Sequence, residues 1–413
     1  MMVEIGMGRT ARRTYELSEI SIVPSRRTRS SKDVSTAWQL DAYRFEIPVV
    51  AHPTDALVSP EFAIELGRLG GLAVLNGEGL IGRHADVAAK ITQLVEAASK
   101  EPEPTAAIRL LQELHAAPLD PGLLGAAVAR IREAGVTTAV RVSPQNAQAL
   151  TPVLVQAGID LLVIQGTIVS AEHVSSDGEP LNLKTFISEL DIPVVAGGVL
   201  DHRTALHLMR TGAAGVIVGY GSTKGMTSSD EVLGISVPMA TAIADAAAAR
   251  REYLDETGGR YVHVLADGDI HTSGELAKAI ACGADAVVLG TPLAESAEAL
   301  GEGWFWPAAA AHPSLPRGHC CRSRWASGRR WSGSSMGPPT TRSAPSTWSA
   351  GCADRWSRPV TAISKSSRRS VWQSAADATR IGWSARTHSP IGLVTDGPRK
   401  PPTLGWYPSM VRS

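Results

Sequence analysis

Residues 47 to 290 alternate short apolar, β-branched runs with longer Ala- and Leu-rich stretches whose apolar positions recur at helical spacing. Eight of the runs predict buried strands, at 48–51, 71–75, 138–142, 160–165, 193–196, 215–219, 261–266 and 286–290. Strands that alternate with helices lie parallel, because a parallel neighbour is reached through a crossover that a helix supplies. Eight such units in about 240 residues fit a (β/α)8 TIM barrel, typically ~250 residues, better than an open doubly wound sheet of five or six strands. The helices carry end signals: Asp201 before 205–210 with Gly212 behind it, and Thr272-Ser273-Gly274-Glu275 before 276–282 with Gly283 behind it. Between 76 and 135 the pattern predicts helices at 88–99 and 125–133, separated by Pro102, Pro104, Pro118 and Pro121. That interval is too short for an inserted domain of ordinary size.

Composition divides the chain further. The formal charge is zero, but residues 1–318 hold 25 Lys and Arg against 37 Asp and Glu, and residues 319–413 hold 15 against 3. The last 95 residues contain 18 Ser, 13 Arg, 9 Pro and 7 of the 10 Trp, with no Phe or Glu and two Leu, a mixture that lacks the aliphatic residues of a packed core. The expected organisation is an N-terminal arm (1–46), the barrel (47–306) and a largely disordered tail (307–413). Cys282 is the one cysteine of the body, so no disulfide framework is expected there, and a reducing, cytoplasmic setting fits. The N-terminus has charged residues where a signal peptide is apolar, and no apolar run reaches the ~20 residues that span a bilayer. Neither a membrane nor a nucleic acid is expected as partner, a basic tail alone being no nucleic-acid site.

Ligands of such barrels meet the C-terminal ends of the strands. After the sixth strand, residues 219–229 combine Gly219, Gly221 and Gly225 with Lys224 and several hydroxyls. This loop either cradles an anion through backbone N–H groups and the lysine charge or is a flexible connector. After the seventh strand comes Asp267-Gly268-Asp269, and after the eighth Gly290-Thr291-Pro292-Leu293, which is expected to open a short helix. Loops at these places form the recurrent phosphate site of the fold. Asp267 accepts from ribose hydroxyls or closes a turn. Gly197-Gly198 admits a ligand or serves packing, and Gln165 reads a base or carboxamide or is solvated. Cys282, in an Ala-rich helix, is expected to be an inert packed thiol. No His, Asp and Glu cluster has metal-ligand spacing, so no metal is expected.

Over about residues 13 to 306 the chain resembles the inosine monophosphate dehydrogenase and guanosine monophosphate reductase family. The resemblance lies in 15–24 (Tyr-Glu-Leu-Ser-Glu-Ile-Ser-Ile-Val-Pro), Pro53-Thr54-Asp55, Gly197-Gly198, the 219–229 loop, Ala266-Asp267-Gly268, Gly290-Thr291-Pro292-Leu293, Glu298 and Gly301-Glu302-Gly303. It implies a barrel of purine nucleotide metabolism that binds a mononucleotide such as IMP or GMP, uses NAD or NADP, and forms homo-tetramers. The paired regulatory modules that many members insert after the second strand do not fit the interval available, so a short form is expected.

Site residues follow by position. Asp267 falls where the family binds ribose hydroxyls, and Gly268, Gly290 and Thr291 where it binds phosphate, with Lys224 close by. Gln165, Gly219 and Gly221 fall on the cofactor side, Gln165 standing for an Asp near the nicotinamide. Met226 occupies the position of the family's nucleophilic cysteine, with Ser228 beside it. A thioether has no ionisable proton and cannot replace a thiolate. The resemblance therefore leaves two readings: an NAD-linked oxidoreductase, or a nucleotide-binding homologue with impaired catalysis that acts as a sensor or partner subunit. Val199 replaces an Asn after the double glycine and Asp269 a phosphate-loop Gly. The family's Gly-Tyr-Cys phosphate segment is absent from the tail. Residues 359–368 can nevertheless be encoded so that a frame two nucleotides later reads Gly-Tyr-Cys-Asp-Leu-Lys-Glu-Phe-Gln, which points to a shift of reading frame near Gly318.

Overall fold

The computed structural model describes residues 2–23, 35–100, 105–166, 181–221 and 233–307, together with the backbone of two short strands, Cys321–Arg322 and Leu393–Thr395. Eight strands form a closed barrel: β1 (Val49–Ala51), β2 (Leu72–Asn76), β3 (Ala139–Val142), β4 (Leu161–Gln165), β5 (Val194–Val199), β6 (Gly215–Val218), β7 (His263–Asp267) and β8 (Ala286–Leu289). Neighbours pair in parallel around the ring, and β8 closes on β1 with Val288 opposite Val50. All eight expected strands are present. β5 runs on through the double glycine to Val199, and β7 starts at His263 rather than at residue 261.

The alternation of side chains along each strand separates two cores. Outward residues such as Ala51, Leu75, Val140, Ile164 and Val218 pack under the helices. Inward residues, among them Val50, Val74, Val163, Ile217, Leu265 and Val288, fill the barrel. Its N-terminal end is plugged by the hairpin Trp38–Leu40 and Tyr43–Phe45, where Trp38 stacks on Phe45 with ring centroids 4.9 Å apart and donates through Nε1 to the Ile47 carbonyl at 2.9 Å. Thus 38–45, read as part of the arm, completes the barrel core.

The helices are α1 (Pro60–Arg68), α2 (Val87–Lys100), α3 (Thr105–His115), α4 (Pro121–Glu133), α5 (Ala147–Ala157), α6 (Leu183–Ser188), α7 (His202–Arg210), α8 (Met239–Thr257) and α9 (Ser273–Cys282). The end signals act as expected: the Asp201 carboxylate accepts from the Arg203 and Thr204 amides, Thr272 and Glu275 form a reciprocal capping box, and Gly283 leaves α9 at φ +119°. α2, α3 and α4 occupy the interval between β2 and β3, so no module pair is inserted there. α3 is a helix that the pattern did not predict. Its buried Ala107, Leu111 and Leu114 are spaced for one face and join Ile91, Leu94 and Trp306 in a separate apolar cluster.

One expectation fails. Residues 290–293 do not open a helix: the Gly290 carbonyl accepts from Leu293 (2.9 Å) and Ala294 (3.2 Å), and the Ala294 carbonyl is then taken by the Gly303 amide at 2.9 Å. A single helical turn is diverted by a long-range backbone bond. The tail expectation lies outside the described residues, apart from Pro307 and the two short strands. Cys321–Arg322 pairs with Trp304–Phe305 and Leu393–Thr395 with Ile20–Ile22. No helix among the described residues is long and apolar enough to cross a membrane.

Candidate functional site at the barrel mouth

At the C-terminal ends of the strands the inward pattern changes from aliphatic to polar. Continuing the two-residue period brings His52, Asn76, Arg141, Gln165 and Asp267 into the barrel mouth, and all five are buried. The corresponding positions of β5, β6 and β8 are Gly197, Gly219 and Gly290. Buried polar groups of this density need partners, and the bonds they make define the site.

Asp267 is the centre. It is 2% exposed, and its Oδ2 accepts from Gln165 Nε2 at 2.6 Å and lies 3.3 Å from His52 Nδ1. Gln165 and Asp267 belong to β4 and β7, with two strands between them. At the corresponding places those two strands carry Gly197 and Gly219, where the backbones pack closely. A Cβ at Gly197 would stand 2.5 Å from that of Ile217, and one at Gly219 would collide with the Asp267 carbonyl. The double glycine therefore lets β6 approach closely, the packing role expected of it. Gly221, at φ +78°, donates its amide to the Asp267 carbonyl at 3.0 Å, and a Cβ there would come within 3.3 Å of Asp267 Oδ1 and 3.0 Å of His52 Cε1.

A second polar group lies beside the first. Arg141 donates to Glu78 at 3.0 Å and to the Gln165 carbonyl at 2.7 Å. Glu78 also accepts from the Ser143 amide (2.8 Å), the Ser143 hydroxyl (2.6 Å) and Asn146 (2.9 Å). Burial pushes the Glu78 carboxyl up, but the Arg141 charge and the Ser143 bonds outweigh it and hold it below the ordinary glutamate range. Burial depresses the Arg141 pKa, although Glu78 opposes this.

A cavity of about 370 Å³ opens beside Asp267, bounded by Tyr220, Gly221, Met239 and Gly268 and closed on one side by Glu16 and Leu17 of the arm. The arm is held there by four bonds: the Tyr15 amide to Thr241 Oγ1 (2.8 Å), the Thr241 amide to the Tyr15 carbonyl (3.3 Å), the Met239 amide to Glu16 (3.2 Å), and Lys278 to the Leu17 carbonyl (2.9 Å). This gives the 15–24 motif a physical role as one wall of the cavity. A narrower hollow of about 10 Å³ is lined by His52, Gly221, Gly268, Gly290 and Thr291, with room for roughly one water. Phe305 restricts it, since a Cβ at Gly290 would meet the phenyl ring at 2.6 Å. Asp269 is more than half exposed and 4.0 Å from His271, so its charge is largely solvated.

The structure thus gathers Gly221, Asp267, Gly268, Gly290 and Thr291 around one hollow and links Gln165 to it through Asp267. Lys224, Met226 and Ser228 lie outside the described residues. Cys282 is no substitute nucleophile, because burial pushes its thiol up to about 11 with Lys278 opposing. Sequence reasoning missed His52, Glu78 and Arg141. The two-residue period beyond Val50 and Ala139 was the signal that could have found His52 and Arg141.

A closed parallel barrel whose polar residues and glycine loops converge at the C-terminal face has the layout in which this fold places its ligand sites. The model of the IMP dehydrogenase / GMP reductase domain matches residues 14–312, and the chain belongs to that family. It is 93% identical over 317 residues to an uncharacterized oxidoreductase of Mycobacterium tuberculosis, covering 77% of this chain and 84% of that one. It is 38% identical over 168 residues to the inosine-5'-monophosphate dehydrogenase of Pasteurella multocida, 40% of this chain and 32% of that one. A crystal structure of an IMP dehydrogenase/GMP reductase-like protein from Corynebacterium glutamicum is 55% identical and superposes with a TM-score of 0.78, covering 87% of this chain and 93% of that one.

Proposed function

We propose that the barrel mouth binds a purine mononucleotide, IMP or GMP, with Asp267 accepting hydrogen bonds from the ribose hydroxyls and the backbone at Gly268, Gly290 and Thr291 meeting the phosphate. The observation that carries this reading is the buried Asp267 carboxylate at the edge of a 370 Å³ cavity, with Oδ1 facing the Gly221 backbone. A charged acceptor fixed there is worth more to a hydroxyl donor than a solvated one. The cavity lies at the lower end of the ~300–1,000 Å³ range of small-molecule sites, the scale of one mononucleotide. Phosphate at the narrow hollow requires Phe305 to turn away from Gly290.

Within this reading the chain is an NAD-linked oxidoreductase of purine nucleotide metabolism, a cytoplasmic homo-oligomer by the family's habit. When bound, the nicotinamide accepts or returns hydride at the purine. Of the described residues assigned to the cofactor, Gln165 gives its carboxamide to Asp267 and Gly221 its amide to the Asp267 carbonyl, while Gly219 and Gly221 both line the cavity. The second reading, nucleotide binding without turnover, is favoured by Met226, which supplies no thiolate.

Titrating IMP while following NADH production from IMP and NAD separates the two readings. Binding with turnover supports the oxidoreductase, binding without turnover the sensor or partner subunit. Absence of IMP and GMP binding overturns both.

A further inference from the structure

We infer that Gln165, assisted by His52, is a positioning residue for Asp267 and serves the nucleotide half of the site rather than a cofactor surface; the inference rests on the purine-nucleotide reading above. Both ends of Gln165 are pinned. Its carboxamide donates to Asp267 Oδ2 at 2.6 Å, and its backbone carbonyl accepts from Arg141 Nη2 at 2.7 Å. Gln165 is 6% exposed, so these bonds are largely shielded from solvent. His52 Nδ1, 3.3 Å from the same Oδ2, is the second group on that oxygen. With Oδ2 occupied from two sides, the carboxylate cannot rotate freely, and Oδ1 is the oxygen presented toward Gly221 and an incoming hydroxyl.

An amide suits this position because it donates at any pH. A carboxyl group in its place donates only while protonated, and once ionised it sets two carboxylates in contact. The charged and titratable groups facing position 165 are Asp267 on β7, His52 after β1, and Arg141 on β3 with its partner Glu78. Asp267 dominates, being in direct contact, so a Glu at 165 holds its proton above the ordinary glutamate range. It works as a donor below that pKa and repels Asp267 above it.

The test compares wild type, Gln165→Glu and Gln165→Leu, titrating IMP between pH 5.5 and 8.5 and NAD onto the IMP-loaded proteins. Taking the variant-to-wild-type ratio cancels the titration of the IMP phosphate. Gln165→Glu is expected to bind IMP within about threefold of wild type at pH 5.5 and at least about tenfold more weakly at pH 8.5. Gln165→Leu is expected to be weaker by about tenfold at every pH, and NAD affinity to stay unchanged in both. Recovery of Gln165→Glu at low pH shows that the protein is folded and that donation is what matters. A ratio independent of pH, or a loss confined to NAD, overturns the inference and leaves the nucleotide reading standing. Failure of wild type to bind IMP or GMP at any pH overturns the nucleotide reading itself, and this inference with it.

Discussion

Asp267 keeps its two carboxylate oxygens in different surroundings, Oδ2 between Gln165 and His52 and Oδ1 toward the Gly221 backbone. Phe305 is the residue that stands in the way, its ring lying over Gly290 and 5.8 Å from the His52 ring. Phe305→Ala is expected to strengthen IMP binding by about threefold to tenfold, because the ring no longer has to be displaced, and a competition titration of IMP against wild type reads it. Met226→Cys is expected to raise NADH production from IMP above that of wild type, measured at saturating IMP and NAD; no gain contradicts the placement of residue 226 at the nucleophile position. At this scale the sequence was legible where type and turn coincide, as at Asp267 and the glycines after β6 and β8. It did not disclose the partner of Gln165, because that bond to Asp267 crosses the barrel and linear order does not record it. The double glycine was ambiguous for the same reason: its close neighbour is Ile217, on another strand.

The β2–α2 and β3–α5 loops are tied together by Glu78, which receives Arg141, Ser143 and Asn146. Its folded pKa is depressed, so its contribution to stability is present above the unfolded value of about 4.3 and is lost as pH falls through the lower folded value. Glu78→Gln is expected to lose less stability than wild type between pH 5 and pH 3, although it is less stable than wild type at pH 7, as denaturant titrations at the three pH values can show. At the other end of the barrel, Trp38→Ala removes the stacked plug and is expected to cost about 3–5 kcal/mol in the same experiment. The eight strands were readable because two-residue periodicity and capping residues agree with the tertiary structure. α3 was not, since prolines on both sides disguised an 11-residue helix as loop, and the turn after Gly290 is decided by Gly303, a residue outside the segment itself.

On the scale of the molecule the chain holds two populations of residues, an acidic body that forms the barrel and a basic Ser-, Arg- and Trp-rich remainder. The similarity to the Mycobacterium tuberculosis relative extends over 317 residues, close to the length at which the composition changes. Both observations fit a shift of reading frame near Gly318. Sequencing the DNA that encodes residues 314–324 is expected to find an inserted or missing base relative to such relatives, and an intact frame contradicts it. The barrel does not depend on the outcome, since its strands, plug and mouth all precede residue 307. Calorimetric titration of IMP into wild type and Asp267→Asn tests most directly whether a purine mononucleotide binds at Asp267. Saturable binding by wild type with a loss of at least about tenfold in the variant, the scale of a hydrogen bond to a charged acceptor, is the predicted result. Equal affinity in the two proteins, or binding by neither, would contradict it.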